Sequence, residues 1–436
     1  MGLSLIAPYL AVLLLAVAAH LGWRRRRQRL DAQAHAQSIA AGLNEPATLH
    51  PVVDPARCIG SGTCVRNCPE GALGIVGGKA VLINASACIG HGACHAACPF
   101  DAISLVFGTA RRGVDIPLLQ PDFQTNVPGI FIAGELGGMG LIRKAAEQGR
   151  QAMEAIARGR PRAVDADELD VLIVGAGPAG LSAGLAALER GHRFAILEQE
   201  SSLGGSIFHY PRQKVAMTAP VTLSLVGLVR MNEISKEDLL AFWHGVTLKH
   251  QLPIHYGQRM TSVRALDDGG FEVQTGSRAW RARSVLLAIG RRGTPRTLEV
   301  PGEDLPKVAY RLIDPVQYAG QAVLVVGGGD SALEAAIALA GEAGTQVTLS
   351  YRGEAFSRVK AKNRDTLAAL QQAGRLEVLL ASQVERITPD QVLLRRADGQ
   401  TRALDNQAVI VCAGGVLPTP LLQEIGIRFE TKHGSA

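Results

Sequence analysis

The chain has 436 residues, of which 47% are hydrophobic, 19% charged and only 4% aromatic. That is enough chain for two or three domains and a large buried core, and it excludes a disordered protein, a small disulfide scaffold and a collagen-like repeat. The formal net charge of +6 is local: residues 1–30 carry five arginines and no acid, and the rest holds 40 basic against 39 acidic residues. With few aromatic side chains for base stacking, nucleic acid is not an expected partner. The 49 glycines exceed the usual share of ~7% and point to places where backbone approaches a ligand closely.

Residues 1–23 contain the uncharged 19-residue run Leu3–Leu21. At ~1.5 Å per residue such a run spans about 28 Å, close to one hydrocarbon thickness. Arg24–Arg27 and Arg29 follow at once. Positive residues stay on the cytoplasmic side, so the expectation is a single-pass helix in the inner (cytoplasmic) membrane with the body in the cytoplasm. A cleaved signal peptide would need a basic leading segment, which is missing, and Ala16-Val17-Ala18 is a weak cleavage site. Residues 24–49, rich in Ala, Gln and Arg, read as a juxtamembrane helix and linker.

Six of the seven cysteines follow in residues 50–108, in two similar runs 30 residues apart. The first is Cys58-Ile-Gly-Ser61-Gly-Thr-Cys64-Val-Arg-Asn-Cys68-Pro69 and the second Cys88-Ile-Gly-His91-Gly-Ala-Cys94-His-Ala-Ala-Cys98-Pro99. Clustered cysteines at short spacing read as metal ligands rather than disulfides, and C-x5-C-x3-C is poor zinc spacing. The repeat resembles the two-cluster bacterial ferredoxin, with its run C-x2-C-x2-C-x3-C-P, except that Ser61 and His91 stand where that family has its second cysteine. The resemblance implies a small α+β domain with crossed ligation, in which the last cysteine of each run serves the other cluster. Cys58, Cys64 and Cys98 would hold one cluster, with Ser61 facing the fourth iron. Cys88, Cys94 and Cys68 would hold the other, with His91 in that place. Three thiolates suffice for a 3Fe-4S cluster, and serine or histidine could complete a 4Fe-4S one. Cys412 lies in an apolar run and reads as a packed core thiol.

A buried strand beginning at Asp170 runs into Gly175-Ala-Gly177-Pro-Ala-Gly180 and a helix, and Glu198 ends the next strand 18 residues past Gly180. Strand, glycine turn, helix and acid at this spacing form a dinucleotide fingerprint. A second fingerprint follows at Ala322–Val326, Gly327-Gly-Gly329-Asp-Ser-Ala332 and the strand Gln346–Ser350. No acid ends that strand; Tyr351-Arg352-Gly353 stands there, with Arg358 and Lys360 beyond. Arginine at that place accommodates a 2′-phosphate, so NADPH is expected before NADH.

Two nested dinucleotide folds resemble the flavoprotein reductases of the low-molecular-weight thioredoxin reductase type. Gly204-Gly205, the strand ends Leu286–Gly290 and Val409–Gly415, and the meander strands Phe271–Thr275 and Trp280–Arg283 support this. That family ends with a segment like T-x-x-P-G-I-F-x-A-G-D and a helix laid against the flavin. Here the matching piece lies upstream, as Thr125-Asn-Val-Pro128-Gly-Ile-Phe-Ile-Ala-Gly134-Glu135 with a helix over Met139–Arg158. The flavoprotein therefore reads as circularly permuted, or as completed by a second copy in a swapped homodimer. Glu135 takes the place of the family's aspartate, which holds the flavin ribityl chain. The fold expected is α/β, with two nested Rossmann-like three-layer domains beside the ferredoxin domain and the transmembrane helix. Its parts are a displaced segment at 114–168, an FAD domain at 169–304, an NAD(P)H domain at 305–408 and a return to the FAD domain at 409–436.

A thioredoxin reductase also needs a C-x-x-C dithiol just before its NADPH strand, and Lys307–Val316 has no cysteine. The related bacillithiol-disulfide reductases carry a cysteine inside the first glycine turn, where Ala179 stands here. The loop Phe208-His209-Tyr210-Pro211 reads as turn and packing residues, in preference to a loop placed near the flavin. The expectation is a membrane-anchored iron–sulfur flavoprotein oxidoreductase in which NAD(P)H, FAD and two iron–sulfur clusters serve a one-electron carrier such as a ferredoxin, a quinone or a cytochrome. Its chemistry is flavin-centred, with no separate acid–base residue. The alternatives are a disulfide reductase that uses a partner's thiols and a non-catalytic redox sensor.

Overall fold

The structure, a computed structural model, describes residues 3–40, 46, 49–88, 90, 92–110, 113–138, 140–165, 167–210, 212, 214–291, 293–356 and 359–434. It divides into two compact units: Met1–Val114 with Phe356–Lys362 and Lys432–Ala436, and Asp115–Ala355 with Asn363–Thr431.

The first unit opens with a helix over Leu3–Ala40, longer than the expected anchor because nothing between Leu21 and Ala40 breaks it. Among the described residues no helix is long and apolar enough to cross a membrane, so the expected transmembrane span is not found. Leu13, Leu14, Leu15 and Trp23 are exposed. Further along, Gln28, Asp31, Ala34, His35 and Ser38 recur at helical spacing on the only stripe of that half that is sheltered from solvent. Asp31 accepts a hydrogen bond from the Ile75 amide at 2.7 Å, and a side chain at Gly74 would lie 2.8 Å from the Asp31 carboxyl carbon.

That contact seats the helix on the small α+β body. His50–Val53 pairs antiparallel with Ile103–Val106, and Leu73–Val76 forms a hairpin with Lys79–Leu82. One-turn helices at Thr63–Arg66 and Ala93–Ala96 follow Gly62 and Gly92, both left-handed. Cys58, Cys64 and Cys94 are buried with Leu73, Ala80, Ala102 and Ile103, so the sulfurs are themselves part of the core.

The second unit holds two parallel-centred sheets. The larger runs Ile254–His255, Phe194–Leu197, Leu169–Val174, Ala279–Leu287, Phe271–Thr275, Met260–Ala265. Ala279–Leu287 serves twice: its first half pairs antiparallel with Phe271–Thr275 and its second half parallel with Leu169–Val174. The smaller sheet runs Val308–Ala309, Ala408–Val411, Ala322–Val326, Gln346–Ser350, Leu376–Leu379. Ala408–Val411 lies in this smaller sheet, paired on one side with Val308–Ala309 and on the other with Ala322–Val326. Leu422 and Ile427 then pack in the core of the larger sheet.

The upstream segment completes that sheet. Ile130–Ile132 pairs parallel with Val285–Leu287, and the helix Ile142–Gly159 lies on the helix Pro178–Glu189. Residues near the chain end run back to where this segment enters: Leu118 donates to the Arg428 carbonyl at 2.9 Å, and Asn126 bonds the backbone of both Gly426 and Arg428. The packing of the two helices turns on Gly149, where a Cβ would sit 1.9 Å from the Ala179 carbonyl oxygen. An exposed helix glycine gains about 1 kcal/mol on replacement by alanine. Gly149→Ala is expected to do the reverse and lose about 1–3 kcal/mol through overpacking, read as a lower urea midpoint at unchanged slope. A midpoint at or above the native value would refute this helix contact.

Candidate functional site

Both glycine turns of the second unit are built on the same hydrogen bonds. In the first, the Gly175 amide donates to the Leu197 carbonyl at 2.7 Å, and Ala288 donates to Val174 at 2.8 Å. Gly175 is left-handed (φ +109°), and a Cβ there would lie 2.5 Å from the Ala288 carbonyl oxygen. Gly180 lets the helix close on the turn, since its Cβ would meet the Gly175 oxygen at 1.8 Å. Gly177 begins the helix Pro178–Glu189 with no side-chain cap, so the first helical N–H groups remain available to an anion.

Glu198 is buried beside this turn, with Oε2 accepting from the Ala176 amide at 2.8 Å and Oε1 from the Glu200 amide at 3.0 Å. Burial pushes its carboxyl above the usual range despite these two donors. Gly205 faces Gly177, its Cβ position 3.1 Å from the Gly177 Cα, and Gly204 beside it is left-handed. From the upstream segment, Gly134 comes against Ala179 and donates to Gln148 Oε1 at 3.0 Å, while the Glu135 side chain lies beside Gly140 and Gly290. The structure therefore gathers Gly134, Glu135, Gly175, Gly177, Gly180, Glu198, Gly204 and Gly205 at one end of the larger sheet. A cradle lined by glycine and an uncapped helix start fits the diphosphate of a bound dinucleotide.

In the second turn the Gly327 amide donates to the Ser350 carbonyl at 2.9 Å, and Cys412 donates to Val326 at 2.7 Å. A Cβ on Gly327 would lie 2.3 Å from the Cys412 oxygen and 3.1 Å from the Ala332 methyl, which stands in the third glycine's place. Cys412 is half-buried; its backbone, not its thiol, shapes the turn. Gly329 is exposed, has nothing within 4 Å of its Cβ position and starts the helix Asp330–Gly341 without a side-chain cap. Arg352 is exposed just past the strand; Arg358 lies outside the described residues.

The six clustered cysteines are unpaired as disulfides and fall into two triads. Burial, and then the neighbouring Cys58 and Cys98, raise the Cys64 thiol. Burial, and then Cys88 and Cys68, push the Cys94 thiol up to about 11. Cys88 is likewise raised by burial and then by Cys68 and Glu70. Cys68, Cys88 and Cys94 line one pocket with Pro51, Glu70 and Leu105. Amides of Ala72 and Ala102 point at the sulfurs of Cys68 and Cys98 at 3.4 Å each, and that of Ala80 at Cys58 at 3.5 Å. Among the described residues no three His, Cys, Asp or Glu side chains form a site for a single metal ion. Crowded thiols whose thiolates would repel one another without a bound cation, with amides already aimed at the sulfurs, fit an iron–sulfur cluster. Ser61 is exposed and engaged with Thr63, 3.3 Å between hydroxyls; His91 lies outside the described residues.

His209, read as a packing residue, meets the Arg311 guanidinium and lies 3.4 Å from Glu200. Its partner Arg311 is 102 residues away in sequence, and no local pattern announces the pair. Pro211 lies outside the described residues.

Residues 172–435 match the family described as pyridine nucleotide-disulphide oxidoreductase, and residues 50–99 match the 4Fe-4S dicluster domain. The chain is 25% identical over 267 residues to bacilliredoxin reductase Bdr of Bacillus subtilis, covering 60% of this chain and 82% of that protein. It is 29% identical over 276 residues to ferredoxin–NADP reductase of Thermus thermophilus, covering 61% and 78%. The solved bacillithiol disulfide reductase Bdr (YpdA) of Staphylococcus aureus superposes with a TM-score of 0.52 at 27% identity, over 60% of this chain and 81% of that one.

The triads predict a crossed phenotype. Cys98→Ala, although it lies in the second run, should damage the cluster held by Cys58 and Cys64. Iron analysis and electron paramagnetic resonance of the reduced variant should show the Cys88–Cys94 cluster retained. Loss of that cluster alone would contradict the pairing.

Proposed function

Because the chain belongs to the pyridine nucleotide-disulphide oxidoreductase family, as an FAD-containing, NAD(P)H-dependent oxidoreductase joined to an iron–sulfur domain, we propose that it moves electrons between NADPH and a one-electron carrier by way of its own clusters. FAD, when bound, accepts a hydride as an electron pair and releases electrons singly, and each cluster carries one electron at a time. The observation that carries this reading is the pair of cysteine triads in a chain whose reductase portion lacks a dithiol. Lys307–Val316 holds no cysteine, Ala179 occupies the turn, and Cys412 has no second cysteine near it in sequence. Thiol–disulfide exchange needs an attacking thiolate, and neither family position supplies one in this chain, so a disulfide reaction would have to draw on a partner's thiols.

The chain's own residues bind and orient. The uncapped helix starts at Gly177 and Gly329 receive the two diphosphates. Glu198 braces the first turn through the Ala176 amide and offers its carboxylate to the adenosine ribose. Glu135 would hold the flavin ribityl chain, as the family resemblance implies, and the exposed Arg352 would receive a 2′-phosphate, which favours NADPH. In the cysteine unit Ser61 is tied to Thr63 rather than turned inward, which favours three protein thiolates at Cys58, Cys64 and Cys98 and a 3Fe-4S cluster there. The carrier is a ferredoxin-like protein, a quinone or a cytochrome. Exposed apolar side chains between Ala11 and Trp23, followed by five arginines, support attachment to the anionic cytoplasmic surface of the membrane.

Changing Cys64 and Cys94 together to serine should leave NADPH-dependent flavin bleaching near the native rate. Turnover with a one-electron acceptor should fall by about tenfold or more, ~1.4 kcal/mol of barrier. Native turnover with that acceptor would make the clusters bystanders and favour the sensor or partner-thiol reading.

A further inference from the structure

The two cysteine runs differ at the corners where their ligands cross, and the 30-residue offset of the repeat lines the differences up. Arg57 stands before Cys58 where Ala87 stands before Cys88. Phe100-Asp101 follows Cys98-Pro99 where Glu70-Gly71 follows Cys68-Pro69. Gly71 and Asp101 share a left-handed backbone, at φ +60° and +49°. The chain therefore turns alike at both corners, and the difference lies in the side chains.

At the Cys58–Cys98 corner those side chains meet across the two runs. Arg57 pairs with Asp101 at 3.6 Å, with both side chains more than half exposed. A pair so open to water is weak and yields readily to another charge. Ile59 is 61% exposed and Phe100 44%, although one adjoins the buried Cys58 and the other lies two residues past the half-buried Cys98. The backbone that presents Ile59 is held from below. Lys79 donates to the Cys58 carbonyl at 2.5 Å, and a Cβ on Gly60 would fall 1.9 Å from the Gly78 oxygen. Arg66 reaches back to the Ser61 carbonyl at 3.4 Å and the Thr63 hydroxyl at 3.2 Å. Arg57, Arg66 and Lys79, the Lys and Arg residues of positions 50–108, thus all stand on the first run or the turn packed on it. At the other corner, Glu70 lines the pocket of Cys68, Cys88 and Cys94.

We propose that the Cys58–Cys98 corner is the docking surface for the external carrier and that this carrier is an acidic redox protein. Ile59 and Phe100 form the apolar centre of the surface, and Arg57, Arg66 and Lys79 form its basic rim. An apolar centre inside a charged rim is how protein interfaces are built, and a small one suits the brief contact of electron transfer. The rim steers an acidic partner to this corner, away from the one that carries Glu70. The proposal deepens the reading of the chain as an electron source for a one-electron carrier, and it rests on that reading. A hydride from NADPH amounts to two electrons and a proton. Two carriers leave in turn, each reduced by one electron, and the proton goes to solvent.

The test is calorimetric titration of the full oxidised chain with an oxidised acidic 2Fe-2S ferredoxin, so that binding is read without turnover. The native chain should bind it, more weakly as salt rises, and should bind the basic protein cytochrome c more weakly than the ferredoxin. Phe100→Glu, which installs the residue of the other corner, and Ile59→Ser should each weaken ferredoxin binding by about tenfold at native iron content. Arg57→Gln should flatten the salt dependence. Leu248→Glu, which changes an exposed apolar side chain of the second unit, should bind as the native chain does. Undiminished binding by both Phe100→Glu and Ile59→Ser would overturn the surface. A native chain that ignores the ferredoxin yet reduces a water-soluble quinone would overturn the choice of a protein carrier. Ferredoxin that binds as expected but stays oxidised after NADPH is added would overturn instead the electron-transfer reading on which the proposal rests.

Discussion

Each nucleotide turn exists because a backbone carbonyl from the neighbouring parallel strand occupies the space where a side chain would stand. Ala288 does this to Gly175, and Cys412 does it to Gly327. Neither glycine can acquire a Cβ without pushing a sheet strand aside, so turn, helix start and adjacent strand are fixed as one piece. From this follow the uncapped N–H groups at Pro178–Glu189 and Asp330–Gly341 and the position of the residue that ends the next strand. That position differs between the two turns, as do Ala176 against Gly328 and Gly180 against Ala332. A carboxylate braces the turn in one domain and an aromatic ring covers it in the other.

The same logic explains how a segment from far upstream completes the larger sheet. A parallel strand needs only a neighbour in register, and Ile130–Ile132 finds Val285–Leu287 regardless of chain order. Its helix is held by a glycine contact, Gly149 on Ala179, of the same kind that closes Gly180 on Gly175. Residues 426–428 meet Leu118 and Asn126 at the point where a chain in the family's usual order would run straight on.

Much of this is legible in the sequence because the signals are local. Glycines and strand ends at fixed spacing leave the fingerprints of Gly175–Glu198 and Gly327–Ser350, the first with an acid and the second without, and the crossed use of the last cysteine of each run is what the ferredoxin resemblance implies. What was not legible depends on pairs distant in sequence. Asp31 capping the Ile75 amide, and His209 meeting Arg311, leave no periodic trace. Gly328 and Gly353 look like ordinary turn glycines until the Tyr351 ring is seen between them. The apolar run at the amino terminus is a separate case, since no span is found among the described residues. Hydropathy counted residues toward a span, while the structure carries the helix on to Ala40, and its last turns pack on the cysteine unit through a polar stripe.

The central claim is that electrons delivered by NADPH reach the cysteine triads. The most direct measurement is electron paramagnetic resonance of the whole protein frozen anaerobically with and without stoichiometric NADPH, beside a dithionite-reduced reference. Nucleotide reduction is expected to change the cluster signals toward those of the dithionite sample, in step with bleaching of the flavin absorbance. Flavin that bleaches while the cluster signals stay as in the oxidised sample, although dithionite alters them, would contradict the account.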